Sequence, residues 1–144
     1  MCNQLDVLSE DKMRKSGMIP CYYKNGKVYV MYMVPSLEEY GGLEPQMAKG
    51  GLEDHLSPQE NAFKEALEEL GLVKSNVIWS DFIGEYHKIG VYVCQIKNRY
   101  NFIDYGYESG ETGWLSEDEI YKVRSWQQQI FKDAIEFFKQ KMGH

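Results

Sequence analysis

The sequence lacks a long hydrophobic run and has few cysteines. Its longest apolar stretch, Val28 to Pro35, is much shorter than the roughly 20 residues of a membrane-spanning helix. We therefore predict no membrane contact and, because the first residues are polar and mixed in charge, no signal peptide. Cys2, Cys21 and Cys94 form neither a CxxC pair nor a zinc-binding spacing. This pattern predicts reduced thiols in a cytoplasmic protein.

The sequence also lacks an excess of positive charge. Its 22 Asp and Glu residues outnumber 16 Lys and Arg residues, which gives a formal net charge of −6. An extended nucleic-acid-binding face needs clustered Lys and Arg, so this balance argues against one. A phosphorylated small molecule is still compatible with it, because a metal ion and a few local cations can neutralise phosphate.

The length and the order of the predicted elements indicate one domain with a mixed sheet flanked by helices. The 144 residues are 43% hydrophobic and contain no repeat or linker, which fits a single domain over 1–144 with a loose segment at 1–15. Asn25-Gly26 predicts a hairpin turn between the first two strands. Strands are predicted over 16–23, 27–35, 76–86 and 90–97. Strands interleaved with helices in this order indicate an α/β or α+β class.

The clearest helix signal begins at Ser57. Ser57 can cap the helix, Pro58 suits its first position, and Glu60 completes a capping box. Gly71 is a typical helix terminator. We therefore predict a helix between Ser57 and Gly71.

The remaining segments give weaker signals. Residues 36–47 are predicted to form a loop, and 98–112 a loop with a short strand. Ser116 is predicted to open a short helix by the same capping pattern. A last helix is predicted over about 125–142, with Trp126 on its buried side.

Three glutamates are crowded on the helix that begins at Ser57. Glu65, Glu68 and Glu69 stand at positions i, i+3 and i+4, so their carboxylates lie on one side of the helix and each raises the cost of ionising the others. A divalent cation would offset that cost, because Mg²⁺ is held by a few carboxylate oxygens and keeps water ligands free for phosphate. The pattern predicts a metal site that acts on a phosphorylated compound.

Residues 50–72 resemble the Nudix box, G-x5-E-x7-R-E-U-x-E-E-x-G-U, where U is a bulky aliphatic residue. Six of its nine fixed positions match, namely Gly50, Glu65, Glu68, Glu69, Gly71 and Leu72. Leu56 stands in place of the first glutamate and Lys64 in place of the arginine. Ser16-Gly-Met-Ile-Pro and Trp114-Leu-Ser-Glu-Asp-Glu-Ile also resemble family segments, so the resemblance covers roughly 16–123.

The resemblance implies an α/β/α sandwich that hydrolyses a nucleoside diphosphate linked to another group, with Mg²⁺ or Mn²⁺. It implies metal ligands at Glu65, Glu68, Glu69 and the backbone carbonyl of Lys49. Its candidate catalytic residues are Glu69, Glu108 and Lys64. Its candidate substrate-binding residues are Lys49, Gly50, Gly51, Glu111 and Tyr40. Glu111 is also the second candidate, after Glu108, for the carboxylate that a later loop supplies in many members.

The substrate and the activity stay open at this point. The Ser16 hairpin and the Lys49-Gly-Gly loop look like those of members that act on dinucleoside polyphosphates, but ADP-ribose, NAD- or FAD-type dinucleotides and RNA 5′ ends are alternatives. Leu56 and Lys64 favour a second class, a nucleotide-binding or regulatory module that has lost turnover. Many members dimerise, so a homodimer is a further alternative.

Overall fold

A computed structural model describes residues 12–40, 42–104 and 109–143. The strands are β1 (Lys15–Lys24), β2 (Lys27–Pro35), β3 (Ala48–Gly51), β4 (Val77–Tyr86), β5 (Ile89–Ile96) and β6 (Ser109–Ser116). The α-helices are α1 (Pro58–Leu70) and α2 (Gln128–Met142). Short 3-10 helices lie at Glu38–Tyr40, Lys74–Asn76, Glu117–Lys122 and Ser125–Gln127. Within these residues no helix has the length and apolar character that a membrane crossing requires.

The strands form one mixed sheet in which β1 has three neighbours. The strand order is β4-β5-β1-β2-β6, and β3 also pairs with β1. β1 runs parallel to β5 and antiparallel to both β2 and β3. β3 lies beside residues 15–18 of β1, whereas β2 lies beside residues 21–24. This change of partner along β1 brings the short strand β3 into the sheet below α1.

The two α-helices cover opposite faces of the sheet. Successive residues of a strand point to opposite faces, and β1 follows this rule. Met18 packs in the cluster that contains Ala62 and Leu70 of α1, and Ile19 packs in the cluster that contains Phe131 of α2. The arrangement is an α/β/α sandwich, so the predicted fold class is confirmed.

The sequence signals at both ends of α1 are confirmed. The Glu60 N–H donates to Ser57 Oγ at 3.1 Å, and the Ser57 N–H donates to Glu60 Oε1 at 2.9 Å. Gly71 ends the helix with φ of 76°, a left-handed conformation that favours glycine. A Cβ at Gly71 would lie 1.8 Å from the carbonyl oxygen of Ile103, so both conformation and space exclude a side chain there.

Substituting Gly71 with alanine should therefore destabilise the fold by about 2 kcal/mol, from the left-handed conformation and the displaced Ile103 carbonyl together. Gly26→Ala is the matched control, because Gly26 has φ of +82° but nothing lies within 4 Å of a Cβ added to it. It should cost about 1 kcal/mol, the conformational part alone. Urea unfolding of the unaltered protein and of the two variants measures both losses of unfolding free energy. Equal losses in the two variants would mean that contact with Ile103 does not matter.

One strand is not predicted, and two further elements differ from their predictions. β3 lies just after the predicted loop 36–47, where Gly50-Gly51 gives little strand signal and pairing with β1 supplies the hydrogen bonds. β6 is eight residues long, although only a short strand is predicted within 98–112. Its Gly113 lies opposite Tyr32 of β2, whose ring leaves no room for a side chain. The last helix begins with a 3-10 turn at Ser125–Gln127, and α2 starts only at Gln128.

Candidate active site

Two of the three crowded glutamates are buried against each other on α1. Glu65 is 9% exposed and Glu69 is 8% exposed. Burial, followed by the hydrogen bond and the charge of Glu65, raises the pKa of Glu69 to about 9. Glu69 therefore keeps its proton near neutral pH unless a cation replaces it.

The backbone of β3 makes room for this pair. A Cβ at Gly50 would lie 2.2 Å from the carboxyl carbon of Glu65, so only glycine allows the carboxyl group to sit against the strand. The backbone of Lys49 forms a hydrogen bond with Glu69. Lys49 is itself largely buried, and desolvation, together with the charges of Lys15 and Arg124, lowers its pKa.

A buried polar network fixes α1 to the strands beneath it. The Asn61 Nδ2 group donates to Ser16 Oγ at 3.0 Å and to the Gly50 carbonyl at 3.3 Å. The Ser16 hydroxyl in turn donates to the Pro58 carbonyl at 2.8 Å. Asn61 and Ser16 are fully buried, and neither is among the site residues predicted from the sequence. A signal for Asn61 does exist, because it stands one helical turn before Glu65.

Lys64 lies among three carboxylates. Its Nζ atom is 3.0 Å from both carboxylate oxygens of Glu68, 3.2 Å from Glu53 Oε2 and 3.5 Å from Glu65 Oε2. The hydrogen bond to Glu68 raises the pKa of Lys64 well above its ordinary value. The lysine thus offsets negative charge on the outer side of the cluster. Because it is 38% exposed, its contribution to stability is modest.

Glu53 is a carboxylate of the site that the box pattern does not indicate. Leu56 stands where the box has its first glutamate, and from sequence alone this substitution indicates the loss of a carboxylate. The structure instead brings Glu53, three positions earlier, to Lys64. Glu53 Oε2 is shielded from solvent, although the Glu53 side chain as a whole is 40% exposed. The ammonium group of Lys64 provides the opposite charge beside this shielded oxygen.

The donor set fits a hard divalent cation, although no complete cage is assembled. Throughout residues 12–40, 42–104 and 109–143, no three His, Cys, Asp or Glu side chains already surround a point that could hold a metal ion. Glu68 is turned to Lys64, while Glu65 and Glu69 face each other. Carboxylate oxygens are the ligands that Mg²⁺ and Mn²⁺ prefer, and a cation would take the place of the proton on Glu69.

The structure brings most of the predicted site residues together, but not all of them. Lys49, Gly50, Lys64 and the three α1 glutamates come together, whereas Glu111 lies exposed on β6 and accepts a hydrogen bond from the Tyr32 hydroxyl at 2.6 Å. Burial and this hydrogen bond raise the pKa of Tyr32 to about 12. Gly51 is exposed at the end of β3. Glu108 and the side chain of Tyr40 lie outside the described residues.

No protein-family model matches the sequence, and no curated protein matches it. The fold, however, is that of Nudix hydrolases. A Caenorhabditis elegans Ap4A hydrolase superposes with a TM-score of 0.70 at 14% identity, over 89% of this chain and 98% of that one. The Nudix domain of Shewanella oneidensis NrtR, complexed with ADP ribose, gives 0.70 at 9% identity, over 88% of each chain. RenU, a Nudix hydrolase from M. smegmatis, gives 0.68 at 14% identity, over 85% of each chain.

Proposed function

We propose that the protein hydrolyses a pyrophosphate bond in a nucleoside diphosphate derivative with the help of Mg²⁺ or Mn²⁺. The observation that carries the proposal is the buried Glu65–Glu69 pair, held against Gly50 within a Nudix-hydrolase fold. A buried pair of acidic side chains is costly to a fold, and a cation-binding role accounts for it.

The residues of α1 and β3 would bind the cation and position its ligands. Glu65, Glu68, Glu69 and the carbonyl of Lys49 would hold the cation. When bound, the cation would offset phosphate charge and lower the pKa of an attacking water. Lys64 would orient Glu68 and Glu65 through the contacts described above, although it cannot make the flat two-pronged contact of an arginine.

A carboxylate must also accept the proton of the attacking water. Glu69 is one candidate, and Glu108, which directly precedes β6 in the sequence, is the other. The water oxygen forms a new bond to one phosphorus, the bridging oxygen leaves on the other phosphate, and the proton goes to the carboxylate. Glu111, the second loop candidate, is engaged with Tyr32, which favours Glu108 over it.

The substrate we favour is a dinucleoside polyphosphate. The similarity of fold to an Ap4A hydrolase, over nearly the whole of both chains, supports this choice. ADP-ribose is the next candidate, because the similar NrtR domain was obtained with that ligand. NAD- or FAD-type dinucleotides, RNA 5′ ends, a homodimer and the cytoplasmic location stay predictions from the sequence.

A nucleotide-binding module without turnover is the second candidate. The position of Lys64 favours it, because an ammonium group within 3.5 Å of Glu53, Glu65 and Glu68 already neutralises part of the charge that a metal would offset. Efficient turnover would require Glu68 to exchange this contact for a cation.

A substrate panel in ¹⁸O-labelled water tests the proposal. Diadenosine polyphosphates, ADP-ribose, NAD, FAD and a triphosphorylated RNA 5′ end are incubated with the protein and Mg²⁺, Mn²⁺ or EDTA. We expect cleavage that depends on the metal, and mass spectrometry of the products identifies the labelled phosphate. Ligand binding without cleavage of any compound would favour the module instead.

A further inference from the structure

Trp126 lies just before α2 and not on the buried face predicted for it. It belongs to the 3-10 helix Ser125–Gln127, and its side chain is 36% exposed. A single exposed aromatic residue needs no explanation by itself. The backbone around Trp126 and the charges beside its ring are what suggest a role.

The backbone on both sides of Trp126 is fixed to the residues that lead into β3. The Arg124 N–H donates to the Pro45 carbonyl at 2.9 Å. The Met47 N–H donates to Gln127 Oε1 at 2.8 Å. Gln127 is fully buried, so a displacement of this segment would leave polar groups unpaired. The backbone that carries the indole ring is therefore held against the residues that lead into β3.

Three basic side chains surround the indole ring. Lys49 Nζ lies 5.9 Å and Arg124 Cζ lies 6.0 Å from the ring centroid of Trp126. The His87 ring meets the indole edge-on, at 5.3 Å between centroids and 90° between planes. We call these four residues the Trp126 platform. Both cations lie near the outer limit of about 6 Å for cation–π contact, and Trp126 keeps about a third of its surface exposed to solvent.

Lys49 links the indole ring of Trp126 to the Glu65–Glu69 pair. Its backbone forms a hydrogen bond with Glu69, and its side chain extends to the indole ring. Lys15 and Arg124 add positive potential around Lys49, and Glu65 and Glu69 add negative potential. An anionic group beside Lys49 would thus lie between the carboxylates and the aromatic ring.

We propose that the Trp126 platform binds a nucleoside 5′-phosphate, with its base stacked on the indole ring and its phosphate beside Lys49 and Arg124. The inference rests on the proposed function in that it places the nucleoside half of the same substrate. Every base can stack on an aromatic face, and Lys and Arg are common partners of phosphate. Trp126 would thereby select substrates that carry a base.

Calorimetric titration with AMP and with ribose 5-phosphate tests this placement in EDTA, where no hydrolysis occurs. The two ligands share the sugar phosphate and differ in the base. Trp126→Ala should raise the Kd for AMP at least about tenfold and leave the Kd for ribose 5-phosphate unchanged. Trp126→Phe should restore most of the AMP affinity, because phenylalanine keeps a face for stacking.

Tyr121→Ala is the matched control. Tyr121 is 72% exposed and carries Lys122 Nζ at 5.9 Å from its ring, so it is a similar cation–aromatic pair at a neighbouring 3-10 helix. Its loss should leave AMP binding unchanged. A decrease as large as that of Trp126→Ala would contradict a specific role for the platform.

Three outcomes would overturn the proposal. They are unchanged AMP binding in Trp126→Ala, an equal loss for both ligands, and no AMP binding by the unaltered protein at millimolar concentration. The test is separate from the proposed function because it needs neither metal nor turnover. A protein that cleaves nothing but loses AMP affinity selectively in Trp126→Ala would refute the hydrolysis and retain this nucleotide site.

Discussion

Glu69→Gln should lower Mg²⁺-dependent turnover by about 1000-fold, which corresponds to about 4 kcal/mol of transition-state stabilisation. Glutamine keeps the size of the side chain but cannot supply a negatively charged oxygen to a cation or accept a proton from water. The substrate found in the panel is used at saturating Mg²⁺, and kcat and KM are measured separately. The loss should fall mainly on kcat, because the proposed role concerns the reacting atoms.

Stability measurements separate this effect from unfolding. The pKa of Glu69 is raised to about 9, so Glu69 is mainly neutral at pH 7, as glutamine is. In EDTA the Tm of Glu69→Gln should therefore equal or exceed that of the unaltered protein, while the increase in Tm on adding Mg²⁺ should be lost. Glu136→Gln, at an exposed position of α2, should change neither turnover nor the Mg²⁺ response. Turnover of Glu69→Gln within tenfold of the original would exclude the assignment.

The helix α1 could be predicted from sequence because its signals are local. Ser57, Glu60 and Gly71 act within one turn of the ends they determine, and the structure confirms both ends. Burial of Glu65 and Glu69 depends instead on β3, which pairs with the distant strand β1. Spacing alone places three carboxylates on one side of a helix and does not distinguish a solvated side from a buried one.

The contact between Glu53 and Lys64 could not be predicted from the spacing of the box. A fixed spacing assigns the first carboxylate to the position that Leu56 occupies. The path of the loop between β3 and α1 determines which side chain reaches Lys64, and that path depends on packing. Glu53 supplies a carboxylate to Lys64 from a different position. The loss of a carboxylate at Leu56 therefore changes the surroundings of Lys64 less than the sequence indicates.

The wrong prediction for Trp126 has a different cause. A helical period of 3.6 residues from about residue 125 places Trp126 on the buried side. The chain first forms a 3-10 turn, which has three residues per turn, so the ring points elsewhere. The buried positions of α2 itself, such as Ile130, Phe131 and Phe138, agree with the predicted period.

Gly50→Ala should reduce Mg²⁺-dependent turnover by 100- to 1000-fold, about 3 to 4 kcal/mol, while the fold is retained. The added methyl group would lie 2.2 Å from the carboxyl carbon of Glu65, so the carboxyl group must move away from β3 and from Glu69. The end of a flexible side chain can move at modest cost, and we expect the free energy of unfolding to fall by only about 1 kcal/mol. Urea unfolding, Mg²⁺-induced shifts in Tm and turnover measure the three effects.

Gly51→Ala provides the control for stability and metal response, because nothing lies within 4 Å of an added Cβ at that position. Both variants add one methyl group to the same strand, and only the one at Gly50 meets a carboxylate. Gly51→Ala should keep the Mg²⁺-induced increase in Tm, and Gly50→Ala should lose most of it. If Gly50→Ala keeps both the Mg²⁺ response and turnover, the position of Glu65 against β3 has no part in metal binding. A response lost equally in both variants would indicate that β3 itself, and not the Glu65–Glu69 pair, is sensitive to a side chain.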